Sequence, residues 1–102
     1  MQKALKAVKL RDKEGYYQAE AKIVSLVLDT KKSLPELQAI EVVSIETRAR
    51  FTIKLGLDRK IKDSILKNKD LNINRRISYK YISEDRFGKP RFALFAGFKD
   101  LY

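Results

Sequence analysis

Arg48, Arg50 and Lys54, then Arg76 and Lys80, then Arg86, Lys89, Arg91 and Lys99 recur through the second half of the chain, many of them at alternate positions of apolar stretches. Ammonium and guanidinium groups at a spacing of two line one face of a strand, where they can neutralise phosphates. Tyr16, Tyr17, Phe87 and Phe95 are interleaved with them and can lay rings on bases or sugars. Phe92 and Phe98 alternate with Leu94 and Ala96 instead, and are expected in the core. The pattern is one of binding, not catalysis. Without histidine or cysteine there is no Ser-His-Asp triad, no thiolate nucleophile and no Cys/His metal site. Glu84 and Asp85 are neighbours in an extended segment, so their carboxylates point to opposite faces, and no GxxxxGK[ST] phosphate loop occurs. The chain is expected to hold no catalytic residue, metal or cofactor of its own.

Lys and Arg number 23 against 13 Asp and Glu, a formal charge of +10 over 102 residues. A field of that size and sign selects polyanions, and nucleic acid is expected ahead of an anionic membrane. The most apolar stretch, Ile23 to Leu28, is far too short to span a bilayer, and the first fifteen residues do not read as a signal peptide. The length allows one small core. The expected organisation is an arm or short helix over residues 1–15 and one domain over 16–102, a monomer in the cytoplasm or associated with the nucleoid.

The elements that must position these cations follow from periodicity. In "YYQAEAKIVSLVLDT", Ala19, Ala21 and Ile23 alternate with polar residues, and then Val24, Leu26 and Leu28 take over. A change of face in mid-strand predicts a bulge or strong coiling. "TKKSLPELQ" is expected as a loop around Pro35. Ala39–Ile45 and Ala49–Leu55 read as a hairpin ending at Gly56, with Phe51, Ile53 and Leu55 on one face and Arg50, Thr52 and Lys54 on the other. "LDRKIKDSILKNKDLN" predicts a helix capped by Asp58, with Ile61, Ile65 and Leu66 on its inner edge. Strands around "RRISYKY" and "RFALFAGF" follow, joined by a turn at Gly88 and Pro90. Three strands, a helix and two strands, with the first strand long and bent, is the order of a mainly β, five-stranded OB-fold Greek-key barrel with one short helix between strands 3 and 4. An SH3-like barrel is the nearest alternative.

The same segments carry a resemblance. "ARFTIKLGL", "DRKIKDSIL" and "RRISYKYISEDRFGKPRFALFAGFKD", with "EAKIVSLVLD" before them, resemble the C-terminal OB domain of ATP-dependent DNA ligases over Glu20 to Asp100. The last of these stretches is similar to that family's "V.VKY......G.PRFP.F...R.D" pattern. The resemblance implies that the last strand corresponds to the sixth nucleotidyltransferase motif, whose basic residues orient the ATP pyrophosphate during enzyme adenylation. Arg91 then matches the first Arg of that motif, Lys99 stands where a later Arg is usual, and Asp100 matches the acidic residue after it. Lys99 keeps the charge but loses the bidentate fork, and Ala93 stands where the family has Pro. The family's nucleophilic Lys lies in a KxDG motif, which does not occur here. ATP is therefore expected only if a nucleotidyltransferase domain is present elsewhere.

The expected function is a DNA-binding OB domain of the ligase type that clamps nicked or duplex DNA through backbone phosphates, with Arg48, Arg50, Lys54, Arg76, Lys80, Arg86, Lys89, Arg91 and Phe95 as contacts and a catalytic ligase domain as partner. The alternatives are a free-standing binder of single-stranded DNA or RNA, a module for an acidic protein partner, and a translation-associated OB domain.

Overall fold

The computed structural model describes residues 11–31, 33, 34 and 36–99. The expected N-terminal arm up to residue 10, together with Pro35 and Asp100, lies outside them. The first strand, β1 (Tyr17–Asp29), is long and serves two neighbours. Its first half pairs antiparallel with β4 (Arg76–Tyr81), from Tyr17↔Tyr81 to Lys22↔Arg76. Its second half pairs with β2 (Glu36–Ser44), from Ala21↔Ser44 to Asp29↔Glu36. The predicted change of face is a bulge: Ile23 pairs with Val42 and Ser25 with Glu41, which leaves Val24 as the extra residue. Ala21 and Ile23 are buried before the bulge, and Leu26 and Leu28 pack on the core after it.

β2 begins earlier than the hairpin pattern predicts. Leu37 is paired with Leu28 and buried, so part of the expected loop is strand. The hairpin continues into β3 (Arg50–Ile53). Helix α1 (Arg59–Lys67) starts where predicted, with Asp58 Oδ1 accepting the Ile61 N–H at 2.9 Å. It buries Ile65 and packs on β2. The predicted helical stretch is broken at Asn68, and its last residues form a separate short helix, α2 (Lys69–Asn72). Its buried Asn72 donates from Nδ2 to the carbonyls of Asn68 (2.7 Å) and Ile65 (3.3 Å), adding a second donor to each at the junction of the two helices. Asn72 Oδ1 accepts from Arg75 at 2.8 Å, and the Arg75 guanidinium lies over the Phe98 ring at 3.5 Å.

The last strand of the main sheet, β7 (Leu94–Phe98), lies beyond β4, giving the antiparallel order β3-β2-β1-β4-β7. The two edges of this sheet then meet. Leu55, just after β3, forms a parallel bridge with Leu94, and the Phe95 N–H donates to the Leu55 carbonyl at 2.9 Å. With the helices between β3 and β4, this is the expected OB-type arrangement. A small ribbon, β5 (Ser83–Glu84) paired with β6 (Pro90–Arg91), projects between β4 and β7.

One strand runs out of phase with the sequence pattern. Tyr79 pairs with Phe95 but Ser78 with Gly97, so Ala96 is an extra residue and Gly97 takes φ +137°. The bulge turns both Phe95 and Phe98 inward, their rings meeting edge-on at 5.3 Å. Phe95, expected at the surface, is 6% exposed. Phe92, expected in the core, is 68% exposed and sits before the strand at φ +56°. The rest of the aromatic core is a chain of contacts, Tyr17–Tyr81 at 5.5 Å, Tyr81–Tyr79 at 5.6 Å and Tyr79–Phe51 at 5.0 Å.

The ribbon turn is organised by one carboxylate. Asp85 Oδ1 accepts the backbone N–H of Phe87 at 2.8 Å and of Lys89 at 3.0 Å. These donors, the Lys89 amide first, hold the Asp85 carboxyl below its ordinary value of 3.8. A depressed carboxyl stabilises the folded turn above the ordinary value and ceases to do so as pH falls through the folded one. Amide exchange read by NMR should therefore show Lys89 and Phe87 protected at neutral pH and losing protection below about pH 4. In Asp85→Asn this acid step should vanish. The seam makes a second, separate demand. Gly56 takes φ +82°, and a Cβ there would lie 2.6 Å from the Phe95 carbonyl oxygen. Gly56→Ala should lower stability by about 1–3 kcal/mol from the backbone alone, read by chemical denaturation.

Candidate nucleic-acid interface

The strand registers decide which cations share a surface. On β1, residues 17, 19, 21 and 23 face the core, so Gln18, Glu20 and Lys22 face outward. On β4, Ile77, Tyr79 and Tyr81 face the core, and Arg76 and Lys80 face outward, while Ser78 on the same side is buried and accepts from Gln18 Nε2 at 2.8 Å. Arg50 on β3 pairs with Val43 on β2, Val43 with Lys22 on β1, and Lys22 with Arg76 on β4. Lys99, one residue past β7, donates its N–H to the Arg76 carbonyl at 2.9 Å, which places it next in line. Arg50, Lys22, Arg76 and Lys99 thus form a row across the outer face of all five strands. At about 4.8 Å per strand the row measures roughly 19 Å along the curved sheet. That length matches about five base-pair steps of duplex, each carrying two phosphates.

Carboxylates punctuate the row. Glu41 forms a two-pronged pair with Arg50, Nε to Oε2 at 2.8 Å and Nη2 to Oε1 at 3.2 Å. Glu20 sits between Arg76, 3.6 Å from Oε1, and Lys99, 4.0 Å from Oε2. These pairs are solvent-exposed and individually weak. The cations of the row outnumber them.

The other predicted residues fall elsewhere. Lys80 lies at the far end of β4, held by Asp12 at 3.0 Å and Glu14 at 3.9 Å. The Asp12 hydrogen bond raises the Lys80 ammonium pKa. Asp12 in turn accepts the N–H groups of Glu14 and Tyr16, each at 2.9 Å. The Tyr16 amide first, then Lys80, keeps its carboxyl below the ordinary range. Lys54 is exposed between β3 and the seam. Arg48, at φ +63°, lies in the β2–β3 turn, where its N–H donates to the Ser44 carbonyl at 2.9 Å. The same turn carries Thr47, whose hydroxyl donates to the Gly88 carbonyl at 3.2 Å. Arg48 is thereby brought to the ribbon turn that holds Arg86 and Lys89. Arg91 stands on β6, in the ribbon, whereas Lys99 stands in the row. Phe95 is inside the barrel, because the Ala96 bulge reverses its face.

Lys22 is the residue that the sequence pattern concealed. It sits between Ala21 and Ile23 on a strand that reads as core, and only its pairing with Arg76 shows that it bridges the row. The exposure of Phe92 was concealed for a different reason, since it lies before β7 in a positive-φ conformation. Among the described residues, no group of three or more Asp, Glu, His or Cys is placed to hold a metal ion. No described helix is long and apolar enough to cross a membrane.

Neither a protein-family model nor a curated protein sequence matches the chain. Solved structures do. A Chlorella virus DNA ligase-adenylate structure superposes with a TM-score of 0.70 and 26% identity, covering 83% of this chain and 31% of that one. A second structure of the Chlorella virus ligase-adenylate gives 0.74 and 24%, covering 86% and 32%. A Lig E DNA ligase, described as binding DNA with a minimal scaffold, gives 0.67 and 20%, covering 82% and 30%. The chain therefore spans about a third of the length of the ligases that it matches. In fold and in the segments that carry its sequence pattern, it resembles the OB-fold domain of ATP-dependent DNA ligases.

Proposed function

We propose that the chain is a non-catalytic DNA-clamping module, residues 16–102, that grips nicked or duplex DNA through backbone phosphates. The row of Arg50, Lys22, Arg76 and Lys99 carries this reading, because it lays cations across five strands at a length a duplex can use. The likeness to DNA ligases supports it, as does the formal charge of +10. Contacts of this kind position a duplex without reading its sequence. The bond-making groups belong to a nucleotidyltransferase domain outside these residues. By the family resemblance Arg91 and Lys99 serve that domain as well, holding the pyrophosphate of its ATP.

Fluorescence anisotropy on a labelled nicked duplex, repeated across salt concentrations, tests the clamp. Four phosphate contacts predict a log–log salt slope of about −3 to −4. Lys22→Ala, Arg50→Ala and Arg76→Ala should each weaken binding by about 1–2 kcal/mol and flatten the slope by about one, whatever the DNA sequence. Lys80→Ala should leave the slope unchanged, since Lys80 lies at the far end of β4, away from the row. With a ligase catalytic domain supplied in trans, Arg91→Ala and Lys99→Ala should slow its adenylation.

The exposed rings of Phe92 and Phe87 favour a second reading, a binder of single-stranded DNA or RNA. Tighter binding to single strands than to nicked duplex at equal salt would establish it and remove the clamp.

A further inference from the structure

The turn that joins β5 to β6 is tied down more firmly than a short connection requires. Besides the two amide donors on Asp85 Oδ1, the Asp85 N–H donates to the Lys89 carbonyl at 2.9 Å and the Gly88 N–H to the Asp85 carbonyl at 3.0 Å. The Thr47 hydroxyl anchors the tip to the neighbouring hairpin through Gly88. Yet the side chain displayed by this fixed turn, Phe87, is 76% exposed and lies outside the core cluster. A phenylalanine kept in water forgoes the stabilisation that its burial would bring. The Arg86 guanidinium lies 5.6 Å from its ring centroid, Lys89 belongs to the same turn, and Arg48 follows Thr47, whose hydroxyl holds the Gly88 carbonyl. The nearby carboxylate, Asp85, has one oxygen committed to the turn amides.

A flat apolar ring on a hydrogen-bonded mount, with a guanidinium beside it, suits a polyanion that also offers flat apolar faces. Intact duplex shows phosphates and base edges but keeps its faces stacked. An unpaired base next to a strand interruption shows both. We infer that Phe87 is a stacking platform for an unpaired DNA base, with Arg86, Lys89 and Arg48 on the flanking phosphates, and that the domain therefore prefers interrupted to intact duplex. The inference rests on the DNA-clamp reading above and adds the substrate discrimination.

The chain contains no tryptophan, so Phe87→Trp installs a single indole reporter at the tip. Its emission is followed as the full chain is titrated with a duplex holding a one-nucleotide gap opposite an unpaired thymine, with the same duplex made abasic at that thymine, and with intact duplex. Strong quenching by the gapped duplex, largely lost with the abasic and intact ones, is expected. Phe87→Ala should lose about tenfold in affinity for the gapped duplex, keep its affinity for intact duplex and keep the wild-type salt slope. If the proteins bind but the indole is quenched equally by all three duplexes or by none, the stacking platform is overturned and the phosphate clamp stands. If the wild type binds no DNA at all, both readings fall.

Discussion

One hydrogen bond joins the two edges of this sheet, from the Phe95 N–H to the Leu55 carbonyl. It tethers the free edge of β7 to the chain just after β3, at Leu55. The contact runs parallel in a sheet that is otherwise antiparallel, and it needs two backbones to approach where any side chain on Gly56 would intrude. Its effect reaches the surface. Holding Leu94 and Phe95 against the end of β3 fixes where β7 runs along β4, and so sets Lys99 beside Arg76. The Ala96 bulge beside this contact turns Phe95 into the interior, where it meets Phe98.

The second determinant is the coiling of β1. A flat strand cannot keep an apolar face toward the core while passing from β4 to β2. The extra residue at Val24 absorbs the mismatch. Because the pairing with β4 is completed before the bulge and that with β2 overlaps it at Ala21 and Lys22, the outer row crosses β1 without interruption. Core and surface are therefore two sides of one register. Phe51, Val42 and Ile23 lie beneath the positions where Arg50, Val43 and Lys22 look outward.

Much of this was legible in the residues. Alternation located the strands, Asp58 announced the helix, and the shift from Ala21 and Ile23 to Leu26 and Leu28 announced the bulge. What was not legible depended on partners. Alternation in "RFALFAGF" predicts one apolar face, and it fails because Ala96 is left unpaired against β4. Gly97 was the available signal, since glycine inside a strand often marks such a bulge. Phe92 falls outside the strand altogether, in a backbone conformation that alternation cannot foresee. Lys22 looked like the polar side of a core strand until its opposite number was known to be Arg76. Lys80 had the right spacing, but a turn distant in sequence, at Asp12, had already claimed it. Arg48 and the ribbon cations are neighbours through Thr47 and Gly88, a contact that no spacing encodes.

Glu20 gives one oxygen to Arg76 and the other to Lys99. Under the proposed clamp, a phosphate arriving there would not meet naked charge; it would evict a resident anion. Association is then an exchange, and its net gain is the difference between two modest attractions. The evicted carboxylate stays tethered within reach and can reclaim its partners whenever the phosphate loosens. If the proposed clamp holds, a grip governed in this way would favour brief residence and stepwise travel along the polymer over permanent capture.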